Sequence, residues 1–73
     1  MSFIMPLTMA PTGVESTVRR IAGKDETRRF LSTLGFVEGG KVTVISQAAG
    51  NLIVNVKDSR IALSKSMASR IMV

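Results

Sequence analysis

Phe30-Leu31-Ser32-Thr33-Leu34-Gly35-Phe36-Val37-Glu38-Gly39-Gly40-Lys41-Val42-Thr43-Val44-Ile45 decides the fold, because the spacing of its apolar residues changes part-way along from helical to alternating. On its N-terminal side Thr27, Phe30, Leu31 and Leu34 recur at i, i+3, i+4 and i+7, which predicts a helix over Asp25 to Leu34 with those side chains along one face. Gly35 stops it, since a glycine just past the last apolar position adopts the left-handed conformation without strain. Glu38-Gly39-Gly40 turns the chain again, and from Val42 the period is two. The helix therefore lies between strands, where it plugs the end of a small barrel.

Downstream, Ala48-Ala49-Gly50 reads as a three-residue hairpin loop that pairs Gln47 with Asn51. Counting back, Val44 faces Val54 and Val42 faces Val56 on the inner side, while Ile45 faces Ile53 and Thr43 faces Asn55 outside. A two-residue turn at Asp58-Ser59 then sets Val56 against Ile61 and Val54 against Leu63, so three strands share one apolar face. Ser64 to Arg70 predicts about one helical turn with Ser64 as N-cap and Ala68 inward, and Ile71-Met72-Val73 a last strand. Upstream, Leu7 to Ala10 predicts a short turn with Leu7 inward, and Pro11-Thr12-Gly13 bends the chain. The first strand falls at about Glu15 to Ala22. Its Val18 and Ile21 are three apart, which strict alternation would put on opposite faces, so a bulge near Arg19-Arg20 is expected.

Together these elements predict a mainly β fold: a five-stranded barrel with a helix between strands 1 and 2 and a short helical turn before the last strand. At 73 residues it forms a single domain over 1–73, near the size below which a lone core becomes marginal. The turn glycines are Gly13, Gly35, Gly39 and Gly50. There is neither cysteine nor histidine, so disulfides, Cys/His zinc sites and Cys or His catalysis are excluded, and a cytoplasmic location fits. The apolar start at Phe3, Ile4, Met5, Leu7 and Met9 has no basic n-region and is interrupted by Pro6 and Pro11, which argues against a signal peptide or a membrane span.

This order of elements coincides with a set of residues at characteristic spacing. Leu7 and Gly13 precede the first strand, Val18 and Ile21 lie in it, and Arg28, Leu31, Leu34, Gly35 and Gly39 surround the helix; Arg60-Ile61-Ala62-Leu63 and Ala68, Ile71 and Val73 complete the set. Over Leu7 to Val73 the chain resembles the FeoA family, small cytoplasmic SH3-like barrels associated with bacterial ferrous iron uptake. Its departures from the family pattern, Asp58 for a glycine, Ser59 for an aromatic and Ser64 for an arginine, fall on exposed turns. The same domain shape closes metal-dependent repressors of the diphtheria-toxin-repressor type, but here no helix-turn-helix accompanies it. The resemblance implies a non-enzymatic accessory protein that docks on the FeoB membrane transporter, meets the membrane only through that partner, and acts on no small-molecule substrate. Weak homo-oligomerisation stays open.

The residues themselves show no catalytic set. Glu15, Asp25, Glu26, Glu38 and Asp58 are the only acids and fall at turns, strand edges and the helix start, where Asp25 and Glu26 complement the dipole and Asp25 reaches Arg28 or Arg29. No cofactor or metal site is predicted, because a hard cation needs converging oxygens and a ferrous site usually adds imidazole. Methionines 1, 5, 9, 67 and 72 read as packing. The net charge of +5 makes an anionic partner conceivable, but the ten Lys and Arg residues are scattered and no Tyr or Trp offers a stacking platform, which disfavours nucleic acid. A proline-rich ligand is disfavoured likewise. The partner-binding residues expected are outward Ile45 and Ile53, with Met67, Met72 and Phe36, the aromatic expected to be at least half exposed, as further apolar surface unless Phe3 to Met9 covers the methionines. Two rival roles use basic residues: a GTPase-activating function through Arg28 or Arg29, and oligonucleotide binding through these with Arg19, Arg20 and Lys24.

Overall fold

The computed structural model describes residues 3–73 and forms helix α1 over Asp25–Thr33, preceded by extended Lys24 and opened by Asp25 and Glu26. Its C-terminus closes in a Schellman motif: the Phe36 amide donates to the Leu31 carbonyl (3.0 Å) and the Gly35 amide to that of Ser32 (3.0 Å), with Gly35 at φ +105°. The reversal at Gly35 swings the next side chain back under the helix, so Phe36 is fully buried and heads the core. This overturns the expectation that Phe36 is half exposed. Phe30 takes that position at 49% exposure, because the inward stripe of α1 is centred on buried Leu31, with Thr27 and Leu34 half-buried beside it.

The described residues form six strands where five were expected, two before α1 and four after it: β1 (Glu15–Thr17), β2 (Arg20–Ile21), β3 (Lys41–Ala48), β4 (Asn51–Val56), β5 (Ser59–Ser64) and β6 (Ile71–Met72). A four-stranded sheet runs β1-β3-β4-β5, and β2 pairs with β6 in a second. The extra strand arises where the first extended segment changes sheets. The Val18 amide donates to the Gly40 carbonyl (2.8 Å), but that of Arg19 already donates to Met72 on β6 (2.7 Å). The crossing turns both Val18 and Ile21 into the core, which explains their three-residue spacing without an ordinary bulge.

The meander keeps the predicted inner pairs Val42–Val56 and Val44–Val54, and Thr43–Asn55 outside. The β3–β4 loop is shorter than predicted: Ala48 pairs with Asn51 across a two-residue turn with Ala49 at φ +49° and Gly50 at +82°, the left-handed pair of a type I′ turn. A bulge between Val44 and Ser46 restores the register, so Ser46 and not Ile45 stands opposite Ile53. The next turn is Lys57-Asp58 rather than Asp58-Ser59; Val56 pairs with Ser59, Val54 with Ile61 and Leu52 with Leu63. This two-residue shift leaves the inward face intact because strand periodicity is two.

Ser64 caps helix α2 (Lys65–Ala68) by accepting from the Met67 amide (3.3 Å), and Ala68 is buried, both as predicted. The 3-10 turn Leu7–Met9 inserts buried Leu7. Met5 exchanges two backbone hydrogen bonds with Val73 and Pro6 bridges Met72, so the N-terminal segment runs antiparallel beside β6. The core joins Phe36, Leu7, Leu31, Leu52, Ile71 and the inward valines. Among the described residues no helix is long and apolar enough to cross a membrane.

Two outcomes follow for chemical denaturation. Gly35→Val should destabilise by about 1–3 kcal/mol through backbone strain, whereas Gly40→Ala should cost less, since Gly40 lacks a positive φ and its added methyl would meet only Val37, at the carbonyl oxygen (3.1 Å) and Cγ2 (3.4 Å). An equal cost at both sites would refute the helix stop as the strained position. Lys57→Gly should raise stability by a few tenths to about 1 kcal/mol by relieving φ +54° at the turn; a lower melting temperature would count against it.

Candidate functional site

The outer face of the large sheet is set by register. One row runs Glu15, Thr43, Asn55, Arg60 across β1, β3, β4 and β5, and another runs Ser46, Ile53, Ala62. Beside the first, the Lys41 ammonium donates to the Thr17 hydroxyl (2.7 Å). Glu15, Lys41, Thr43, Asn55 and Lys57 line a groove of about 390 Å³ floored by Gly35 and Gly40. A second hollow of about 350 Å³ is lined by Ile21, Arg28, Ser32, Phe36, Val37 and Glu38. No polar or charged side chain is buried among the described residues, so their charges all reach solvent.

Of the predicted partner-binding residues, Ile45 and Ile53 lie on this outer face, both half-buried, with Ile45 displaced into the bulge. Met67 packs against the core and Met72 lies half-buried in the small sheet between Arg20 and Pro6. Phe36 leaves the set because it is core. The five residues do not form one patch, because the two isoleucines belong to the large sheet and Met72 to the small one. Exposed apolar side chains missed in the sequence sit at the N-terminal end, Phe3 (76%), Ile4 (60%) and Met9 (70%). Spacing gave no signal for them, since Phe3 and Ile4 are adjacent and both exposed, which alternation does not produce.

The basic candidates stay on the surface. The Arg28 guanidinium lies 3.9 Å from the Asp25 carboxylate, a loose pair between side chains 53% and 88% exposed, and Arg29 has no ion pair among the described residues. No cluster of three acidic side chains able to hold a metal occurs among the described residues. Met1 lies outside them.

The FeoA domain family model matches residues 5–73. The chain belongs to the FeoA family. A Methanocaldococcus jannaschii protein named for Fe(2+) transport as protein A is 38% identical over 69 residues, which is 93% of this chain and 83% of that protein. The crystal structure of an iron uptake regulatory protein, FeoA, superposes with a TM-score of 0.88 at 30% identity, covering 97% of this chain and 96% of that one. Stenotrophomonas maltophilia FeoA, solved with zinc and described as a prokaryotic SH3 domain protein and a candidate activating factor of ferrous iron transport, gives 0.79 at 30% identity over 92% of this chain and 86% of its own. A manganese-dependent transcriptional repressor matches at 0.86 with 22% identity, covering 96% of this chain but 40% of the repressor, which extends the likeness in fold. The SH3-like FeoA fold thus agrees with the resemblance drawn from Leu7 to Val73.

Replacing each phenylalanine separates core from surface. Phe36→Ala should cost about 3–5 kcal/mol, the usual range for emptying a packed aromatic site, and Phe30→Ala about 1 kcal/mol or less at its half-exposed position. Comparable losses in denaturant titrations would reverse the assignment.

Proposed function

We propose that this chain is a non-enzymatic accessory protein of ferrous iron uptake, which acts as one domain over 1–73 in the cytoplasm and docks on a FeoB-type membrane transporter to modulate it. The family match across residues 5–73 carries the reading, and the description of Stenotrophomonas maltophilia FeoA as a candidate activating factor agrees with it. Docking acts by differential affinity: a protein that binds one conformation of its partner more tightly shifts the partner toward that conformation. The outer face suits such a role because half-buried Ile45 and Ile53 are rimmed by polar groups and bases, and a modest apolar centre with a polar rim is the usual build of a transient interface.

Capture of the transporter from native membranes on immobilised protein tests the reading. The double substitution Ile45→Ser with Ile53→Ser should lower capture by roughly tenfold, as loss of about 1.4 kcal/mol of apolar contact predicts, while circular dichroism shows a folded variant. Arg28→Ala with Arg29→Ala should change capture little. The reverse order, with loss of this protein's stimulation of the transporter's GTP turnover on removing the arginines, would assign them to phosphoryl-transfer charge instead. Absence of the transporter from the captured material would overturn docking itself.

A further inference from the structure

Strand β5 is one of the two outer strands of the large sheet, the other being the three-residue β1, and its two sides differ. The two-residue turn makes Val56 and Ser59 a hydrogen-bonded pair, and alternation extends this to Val54–Ile61 and Leu52–Leu63. The N–H and C=O groups of Arg60 and Ala62 therefore point away from β4, and neither residue has a backbone hydrogen bond elsewhere among the described residues. Both are exposed. Such a row of unpaired groups is a template for another strand, and natural edges are usually covered or blunted. Here the edge strand is six residues long and regular, without proline, and no bulge interrupts its pairing to β4.

The surroundings select the occupant. Arg60 stands near one end of the edge and Lys65 follows it at the other, with Asp58 the one acid between Lys57 and Lys65. A second copy fits poorly. Antiparallel pairing about Ala62 would set Arg60 opposite Ser64 of the other copy and would bring together two chains that each carry a net charge of +5. An acidic extended segment meets the same cations favourably. Its alternate residues would lie beside the half-buried Ile61 and buried Leu63 on one face, and beside Arg60, Ala62 and Ser64 on the other. Ala62 is small, which leaves space toward Ile53 in the same row.

We infer that the free edge of β5 binds an extended segment of a partner protein by strand addition, a segment that alternates apolar and polar residues and carries acids placed against Arg60 and Lys65. Main-chain bonds to Arg60 and Ala62 would supply affinity and the flanking bases the choice of sequence. This inference is independent of the transporter reading, because its test contains no transporter.

The probe is the peptide acetyl-Glu-Val-Thr-Val-Glu-amide, titrated to millimolar concentration against the whole chain and followed by backbone amide resonances. The resonances of Arg60, Ala62 and Ser64 should shift saturably, and amide exchange at Arg60 and Ala62 should slow. The counterpart acetyl-Lys-Val-Thr-Val-Lys-amide should bind several-fold more weakly, and Arg60→Glu should reverse that preference. Ala62→Pro removes the outward N–H without breaking a bond to β4, so it should abolish binding while the fold is retained. If that variant does not fold, Arg60→Glu alone decides. Unmoved edge amides at millimolar acidic peptide, or equal binding of both peptides regardless of Arg60→Glu, would overturn the inference. So would sedimentation showing that the protein alone dimerises and that Ala62→Pro makes it monomeric, which would give the edge to a second copy.

Discussion

The Schellman closure of α1 is the constraint on which the rest of the structure depends. Two hydrogen bonds, from the Phe36 amide to the Leu31 carbonyl and from the Gly35 amide to that of Ser32, satisfy carbonyls that the helix end would otherwise leave open, and they form with φ +105° at residue 35. The same reversal delivers Phe36 into the core and aims the chain toward Gly39, whose amide donates to the Val18 carbonyl. One backbone conformation thus sets the helix stop, the largest core side chain and the start of β3.

The second constraint is the crossing at Val18 and Arg19. By giving one amide to Gly40 and the next to Met72, the chain ties the two sheets together at adjacent residues. On the other side of β6 the N-terminal segment closes the small sheet, where Met5 pairs with Val73 and Pro6 with Met72. With the small sheet flanked in this way, the long free edge lies on the large sheet at β5. That the charges of the described residues are all solvent-facing, in a chain of net charge +5, gives its surface a positive potential that would draw in an acidic partner before short-range contacts form. A steering field of this kind affects encounter rate more than final affinity.

Much of the fold was legible because strand periodicity forgives small errors. The two-residue slip at Lys57-Asp58 changed every partner of β5 yet kept Ile61 and Leu63 inward, and the misjudged loop at Ala49-Gly50 was absorbed by the bulge at Ile45. Helical periodicity forgives less. Thr27, Phe30, Leu31 and Leu34 span a stripe wide enough that its centre could fall on either side, and tertiary packing placed Leu31 there and left Phe30 at the margin. For the methionines the sequence leaves both outcomes open: strand alternation points Met72 outward and Met67 precedes inward Ala68 on a helical turn, while packing half-buries Met67 against the core and sets Pro6 beside half-buried Met72.

By itself the sequence determined the order of elements, the helix stop at Gly35, the Ser64 cap and the inward face of the meander, since each depends on residues a few positions apart whose backbone preferences and spacing act locally. Only the tertiary structure decided that Phe36 is core and Phe30 surface, that the first strand divides between two sheets, and that β5 keeps an open edge. These depend on which distant segment arrives beside a residue, and that is settled by three-dimensional closure of the chain around Phe36, Leu31 and Leu7 rather than by any local pattern.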